Sequence, residues 1–195
     1  MLWQWISVGV LVVLLVAAAV CDLKCGKVFN WLTYPAIVVG LALAALRGAV
    51  AGDAWDGLTD GLIGFGFGFG VLMVAYLVGG MGGGDVKLMG AVGALVGWSG
   101  LADYAALHAV FYSFATAAAV GLILMVWRGK TRTVLRKLVL ALRILPLPKA
   151  TMDEAVGGDT LHVPFGFAVC VGTLWFLAEE IVFGRSLWDV VSGLV

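Results

Sequence analysis

The chain has 195 residues, 63% of them apolar and 12% charged, with twelve basic residues balanced by twelve acidic ones. Its mean hydropathy is +1.08, whereas soluble domains average about 45–50% apolar and about 25% charged residues, so this is an integral membrane protein with little chain left for a soluble domain. No basic tract is interleaved with aromatic residues, so no nucleic-acid partner is expected.

A bilayer core about 30 Å thick takes roughly 20 apolar residues as a helix. Residues 1–20 meet that without a charge. Val20 is a poor residue before a lipoprotein-type cysteine at Cys21, and "MLWQW" lacks a basic secretory n-region. The segment therefore reads as a retained helix, ended by Asp22. Trp31–Leu46 is a shorter second span, with Asn30 placed as an N-cap and Pro35 tolerated in the first turns.

The third span is Gly57–Val78. Its "GLIGFGFGFG" alternates like a strand, but one strand cannot satisfy its backbone in lipid. Read as a helix, Gly57/Gly61, Gly64/Gly68 and Gly66/Gly70 form small-xxx-small stripes that let helices approach closely. "GGMGGGDVKLMG", Gly79–Gly90, then sets Asp85 behind a run of glycines, ahead of a short fourth span over 86–101. Spans over 104–127 and 163–183 follow. The expected fold is an all-α membrane protein of about six transmembrane helices, forming one domain over 1–195.

Charge sets the orientation. With the N-terminus outside, segments 21–30, 79–87 and 128–162 lie inside. They hold Lys24, Lys27, Lys87, Arg128, Lys130, Arg132, Arg136, Lys137, Arg143 and Lys149, leaving Arg47 and Arg185 outside. That asymmetry is a positive-inside signal for a multi-pass protein of the cell (inner) membrane with both termini outside. Asp53, Asp56, Asp60, Asp103, Glu179, Glu180 and Asp189 read mostly as solvated or helix-start charges at outer ends. In the inside loop, "TRTVLRKLVLALRIL" puts Val134, Leu138 and Leu142 on one face, as a basic amphipathic helix lying on anionic lipid would.

This topology brings Asp22 and Asp85 to one side of the membrane at one depth. Two neighbouring carboxylates tend to hold a single proton between them. One can then take a proton from water while the other gives one to a peptide carbonyl, without a metal or a covalent intermediate. On the chemistry alone, two unrelated interfacial aspartates account for the pattern equally well. Cys21 and Cys25 form a lone C-x-x-x-C with no second pair, and His108 and His162 show no H-E-x-x-H spacing. No metal or other cofactor is expected.

"GGMGGGDVKLMGAVGALVGW" resembles the signature of type IV prepilin peptidases, in which an aspartate follows G-x-G and precedes an apolar residue and a lysine. Gly82, Gly83, Gly84, Asp85, Val86 and Lys87 occupy those places here. "DLKCGKVFNWLTYP" resembles the family's first segment, keeping Asp22, Asn30, Leu32 and Thr33, with Phe29 where proline is usual. "HVPFGFAVCVG" is similar to its last-helix motif at Pro164, Phe165 and Gly166. The matches fall in the family's order, and the resemblance covers the whole chain.

The resemblance implies a leader peptidase, an aspartic-type endopeptidase that removes the short basic leader of type IV or Flp-type prepilins at the cytoplasmic face. Asp22 and Asp85 would be its catalytic pair. Gly82 and Gly84 would shape the second loop, Lys87 would stand beside Asp85, and Asn30, Pro164 and Gly166 would support the site. Larger members carry two C-x-x-C pairs and methylate the new N-terminus; this sequence lacks that insertion, and methyl transfer is not expected. The small size resembles Flp-type (tight-adherence) or archaeal preflagellin peptidases.

Two other readings stay open at this stage. "GWSG" around Ser99 matches a rhomboid-like serine protease motif, with His108 or His162 as base. Membrane carboxylates also mark proton routes, as in a small ion-coupled transporter, although no inverted repeat is evident.

Overall fold

A computed structural model of the chain describes residues 2–78, 81–127 and 164–183. They form six helices: α1 (Leu2–Cys25), α2 (Asn30–Ala51), α3 (Ala54–Val78), α4 (Gly83–Val96), α5 (Ala105–Trp127) and α6 (Phe165–Phe183). Four of these, α1, α2, α3 and α5, are long and apolar enough to cross a bilayer. The protein is thus an all-α, multi-pass membrane protein. The inside loop expected over 128–162, with its amphipathic helix and His162, lies outside the described residues, as do Arg185 and Asp189.

Each boundary has a local cause. Gly26 adopts φ 62° and returns its N–H to the Asp22 carbonyl at 2.8 Å, so α1 runs past Asp22 instead of ending at it. This is the left-handed glycine stop of a helix. Gly52, at φ 116°, ends α2 in the same way, and the following Asp53 N–H bonds the Gly48 carbonyl at 3.0 Å. Asp53 then accepts the Trp55 N–H at 2.8 Å and starts α3, as expected of a helix-start charge. The N-cap of α2 corrects the expectation for Asn30. Phe29 occupies that position with extended backbone and no side-chain cap, and Asn30 is the first helical residue.

The fourth helix is the short one, at 14 residues, or roughly 21 Å at 1.5 Å per residue. It starts earlier and stops earlier than the 86–101 span expected from the sequence. Val86 and every residue from Leu88 to Val96 are buried in it. A helix apolar on all sides belongs in a core. Here α2, α3 and α5 pack around it, and their outward faces, with Val38, Ile63 and Phe111 exposed, meet lipid. Trp31, Trp55 and Trp127 stand exposed at helix ends, where an interfacial aromatic belt sits.

Glycine sets the closeness of α2, α3 and α4. A Cβ on Gly57 would stand 2.2 Å from the Ala44 carbonyl oxygen, and one on Gly64 would stand 2.3 Å from that of Gly93. One on Gly68 would lie 2.6 Å from the Met89 carbonyl oxygen. Two of the three expected stripes are therefore helix interfaces. The third is not, because Gly66 and Gly70 face open space.

Two of the acids expected to be solvated charges at outer ends are engaged in the structure instead. Asp60 accepts Arg47 Nη2 at 3.0 Å and the Ser99 N–H at 2.6 Å. Glu179 accepts the Tyr112 hydroxyl, and Trp175 Nε1 at 2.8 Å.

Candidate active site

Three segments come together at one end of the bundle: the end of α1 with its turn to α2, the start of α4, and the start of α6. Asp22 lies in the last turn of α1 and is buried, with 5% of its surface exposed. Its Oδ2 accepts the Phe167 N–H at 3.2 Å, from the first turn of α6. A carboxylate at a helix N-terminus meets unpaired N–H groups and the positive end of the helix dipole. Pro164 stands just before that turn, and its carbonyl accepts the Ala168 N–H at 3.2 Å.

Gly166 lets the two segments meet. A Cβ there would stand 3.0 Å from Asp22 Cβ and Oδ2 and 3.0 Å from Val28 Cγ2.

Asp85 sits in the first turn of α4, one turn further into the helix than the sequence reading placed it. Gly82 is the N-cap, in extended conformation, and its carbonyl accepts the Asp85 N–H at 3.1 Å. The Asp85 carboxylate folds back over it, so a Cβ on Gly82 would lie 3.2 Å from Oδ2. Gly84 is the tightest of the three glycines: its Cβ would stand 2.7 Å from the Val28 carbonyl oxygen. Val28 is buried and wedged between Gly84 and Gly166.

The two aspartates line one cavity of about 340 Å³, together with Gly26, Lys27, Val28, Gly82, Gly83, Gly84 and Phe165. Four of its nine lining residues are glycines, whose bare backbone admits another chain closely. Of the residues expected at the site, Asp22, Asp85, Gly82 and Gly84 line the cavity, and Gly166 touches Asp22. Asn30, Lys87 and Pro164 are not among the cavity's lining residues.

Lys87 Nζ donates to Asn30 Oδ1 at 2.8 Å and lies 4.9 Å from the centre of the Tyr34 ring. Among the described residues, no group of three or more His, Cys, Asp or Glu side chains is arranged to hold a metal ion.

The sequence reading named Phe165 in the last-helix motif but gave it no role, and it missed Gly26, Lys27, Val28 and Tyr34. Of these Gly26 carried a local signal, as the glycine just past a helix end. Lys27, Val28 and Phe165 join the aspartates at the cavity, and Tyr34 meets Lys87, through folding.

A membrane bundle with two carboxylates on a glycine-walled cavity has the parts for metal-free acid–base hydrolysis of a peptide. The chain belongs to the type IV leader peptidase family, whose model matches residues 9–126. It is accordingly a prepilin leader peptidase, an aspartic-type endopeptidase of the membrane acting on prepilin-like substrates. No curated protein and no solved structure matches the chain.

The match runs from α1 into α5 and stops before α6. Gly166, expected at the site from the last-helix motif, and Phe167 both lie beyond the matched residues, and the structure sets both against Asp22. Family membership also displaces the rhomboid-like and transporter readings. Ser99 sits in an exposed turn with its N–H on Asp60, and the His108 ring packs 5.7 Å from that of Phe176.

Proposed function

We propose that Asp22 and Asp85 are the catalytic pair, and that the chain is one peptidase domain over 1–195 with six membrane spans. The site faces the cytoplasm of the inner membrane, where the basic leader of a type IV or Flp-type prepilin arrives. The observation that carries the reading is that two aspartates far apart in sequence line the same cavity.

In the reaction one carboxylate is ionised and the other protonated. The ionised one takes a proton from water as the water oxygen bonds the scissile carbonyl carbon. The other gives its proton to the carbonyl oxygen. Collapse of the tetrahedral adduct breaks the carbon–nitrogen bond: the leaving nitrogen takes up the proton first removed from water, and one hydroxyl of the adduct returns a proton to the carboxylate that acted as acid. Gly82, Gly84 and Gly166 keep the cavity open to the substrate backbone, and Pro164 sets the start of α6.

Purified protein in detergent, incubated with candidate prepilins, should release the leader at one bond, read by sequencing the products. Asp22→Asn or Asp85→Asn should leave the substrate intact, and normal processing by either variant removes the pair. Sidedness is read separately with a membrane-impermeant thiol reagent. Exposed Cys25 should react only from the cytoplasm and Ser99→Cys only from the periplasm, each as the sole cysteine. The reverse result inverts the orientation.

A further inference from the structure

We infer that Lys87 acts as a positioning residue, latching the two aspartate-bearing segments together through Asn30 and Tyr34. The inference rests on Asp22 and Asp85 being the catalytic pair.

Asp22 is joined to α2 by the short link Gly26–Phe29, and α2 opens with Asn30. Asp85 and Lys87 share the first turns of α4. The Lys87 ammonium crosses from α4 to α2, gives one hydrogen bond to Asn30 Oδ1 at 2.8 Å, and sits 4.9 Å from the Tyr34 ring centre.

Asn30 and Tyr34 are four residues apart, so on a helix they lie on one face, one above the other. They form a two-point seat for one cation: an amide oxygen and an aromatic face.

The link is held at two further points. Val28 meets Gly84 on the Asp85 side and Gly166 on the α6 side. Without the latch, Val28 packing and the close glycine contacts would remain, but the start of α2 would be free to shift against the start of α4. Because Gly26 N–H bonds the Asp22 carbonyl, movement of the link is carried to the last turn of α1. A displacement of about 1 Å between catalytic groups can cost about 100-fold in rate.

The seat also predicts which substitutions succeed. Arginine can donate to Asn30 and stack on Tyr34, so it replaces lysine in this role. Phenylalanine keeps the ring face at position 34, and leucine does not.

The test combines kinetics with a distance measurement that does not depend on catalysis. Lys87→Met should lower kcat about 10- to 100-fold with KM little changed, and Lys87→Arg should restore most of the rate. Asn30→Ala should lower the rate likewise and add little in the Lys87→Met background. Tyr34→Leu should weaken the rate more than Tyr34→Phe.

The pH–rate profile of Lys87→Met should keep its limbs where the wild-type limbs lie. Spin labels on Cys25 and on Met81→Cys, in a background otherwise free of cysteine, should give a broader distance distribution once Lys87 is methionine. Additive losses for Lys87→Met and Asn30→Ala, a displaced pH limb, or an unchanged distance distribution would each overturn the latch. The pair itself would fall separately, through cleavage by an Asp22→Asn or Asp85→Asn variant whose label distances remain sensitive to Lys87.

Discussion

At each end of α4 an aspartate and glycines stand near a basic side chain. At the far end, Arg47 and Asp60 form a salt bridge at 3.0 Å, their side chains only 15% and 18% exposed. The glycines there are filled by it, since a Cβ on Gly100 would stand 2.2 Å from Arg47 Nη2 and one on Gly97 2.1 Å from Asp60 Oδ2. Asp60 also takes the Ser99 N–H, so α2, α3 and the turn after α4 are tied at one point.

At the near end Lys87 is drawn to Asn30, and Gly82, Gly83 and Gly84 line a cavity that both aspartates share with Lys27. Like ingredients thus make a closed staple at one end and an open site at the other. What differs is whether a cation fills the space the glycines leave, as Arg47 does, or lines it and leaves it open, as Lys27 does.

The largest effect expected from this comparison concerns catalysis. Asp22→Asn or Asp85→Asn should reduce prepilin cleavage by at least about 10²–10⁴-fold, the usual share of general acid–base catalysis, with an unchanged unfolding midpoint in detergent. Asp60→Asn should do the opposite, lowering the midpoint while folded enzyme still cleaves. An Asp60→Asn enzyme that is folded and inactive would break the comparison.

Next come the two glycines that admit the link. Gly84→Ala and Gly166→Ala put a Cβ 2.7 Å from the Val28 carbonyl oxygen and 3.0 Å from Asp22 Oδ2. Initial rates should fall by about 10- to 100-fold as the aspartates are displaced, more for Gly84→Ala because its obstacle is backbone.

The staple should count in stability. Arg47→Met should cost about 1.5–3 kcal/mol, the range for hydrogen bonds to charged groups, read from unfolding in detergent. The double variant Arg47→Met/Asp60→Leu should recover part of the loss, because no charge is then left without its partner.

The smallest effect sharpens the contrast among glycines. Gly66→Ala and Gly70→Ala should shift stability by no more than about 0.5 kcal/mol, as open surface positions do. Gly64→Ala, pressed against the Gly93 carbonyl, should unfold markedly earlier. Equal effects at all three positions would mean that α3 packs on another face.

Much of this protein was legible from sequence alone because hydropathy adds up along the chain. The all-α membrane class, the approximate spans and the aspartate behind "GGMGGG" all follow from local runs of residues, and so does the shared side of Asp22 and Asp85. Periodicity also showed that α3 carries glycine stripes.

Periodicity could not say which stripe has a neighbour, since that depends on where α2 and α4 lie around α3. The tertiary structure chose Gly57/Gly61 and Gly64/Gly68 and left Gly66/Gly70 facing outward. It also decided the partners of the charges: Arg47 with Asp60 across a helical turn-back, and Lys87 with an asparagine 57 residues away. The cavity belongs to the same class of fact. Asp22 with Val28, Asp85 and Phe165 come from three separate segments, and only packing through space brings them to one cavity.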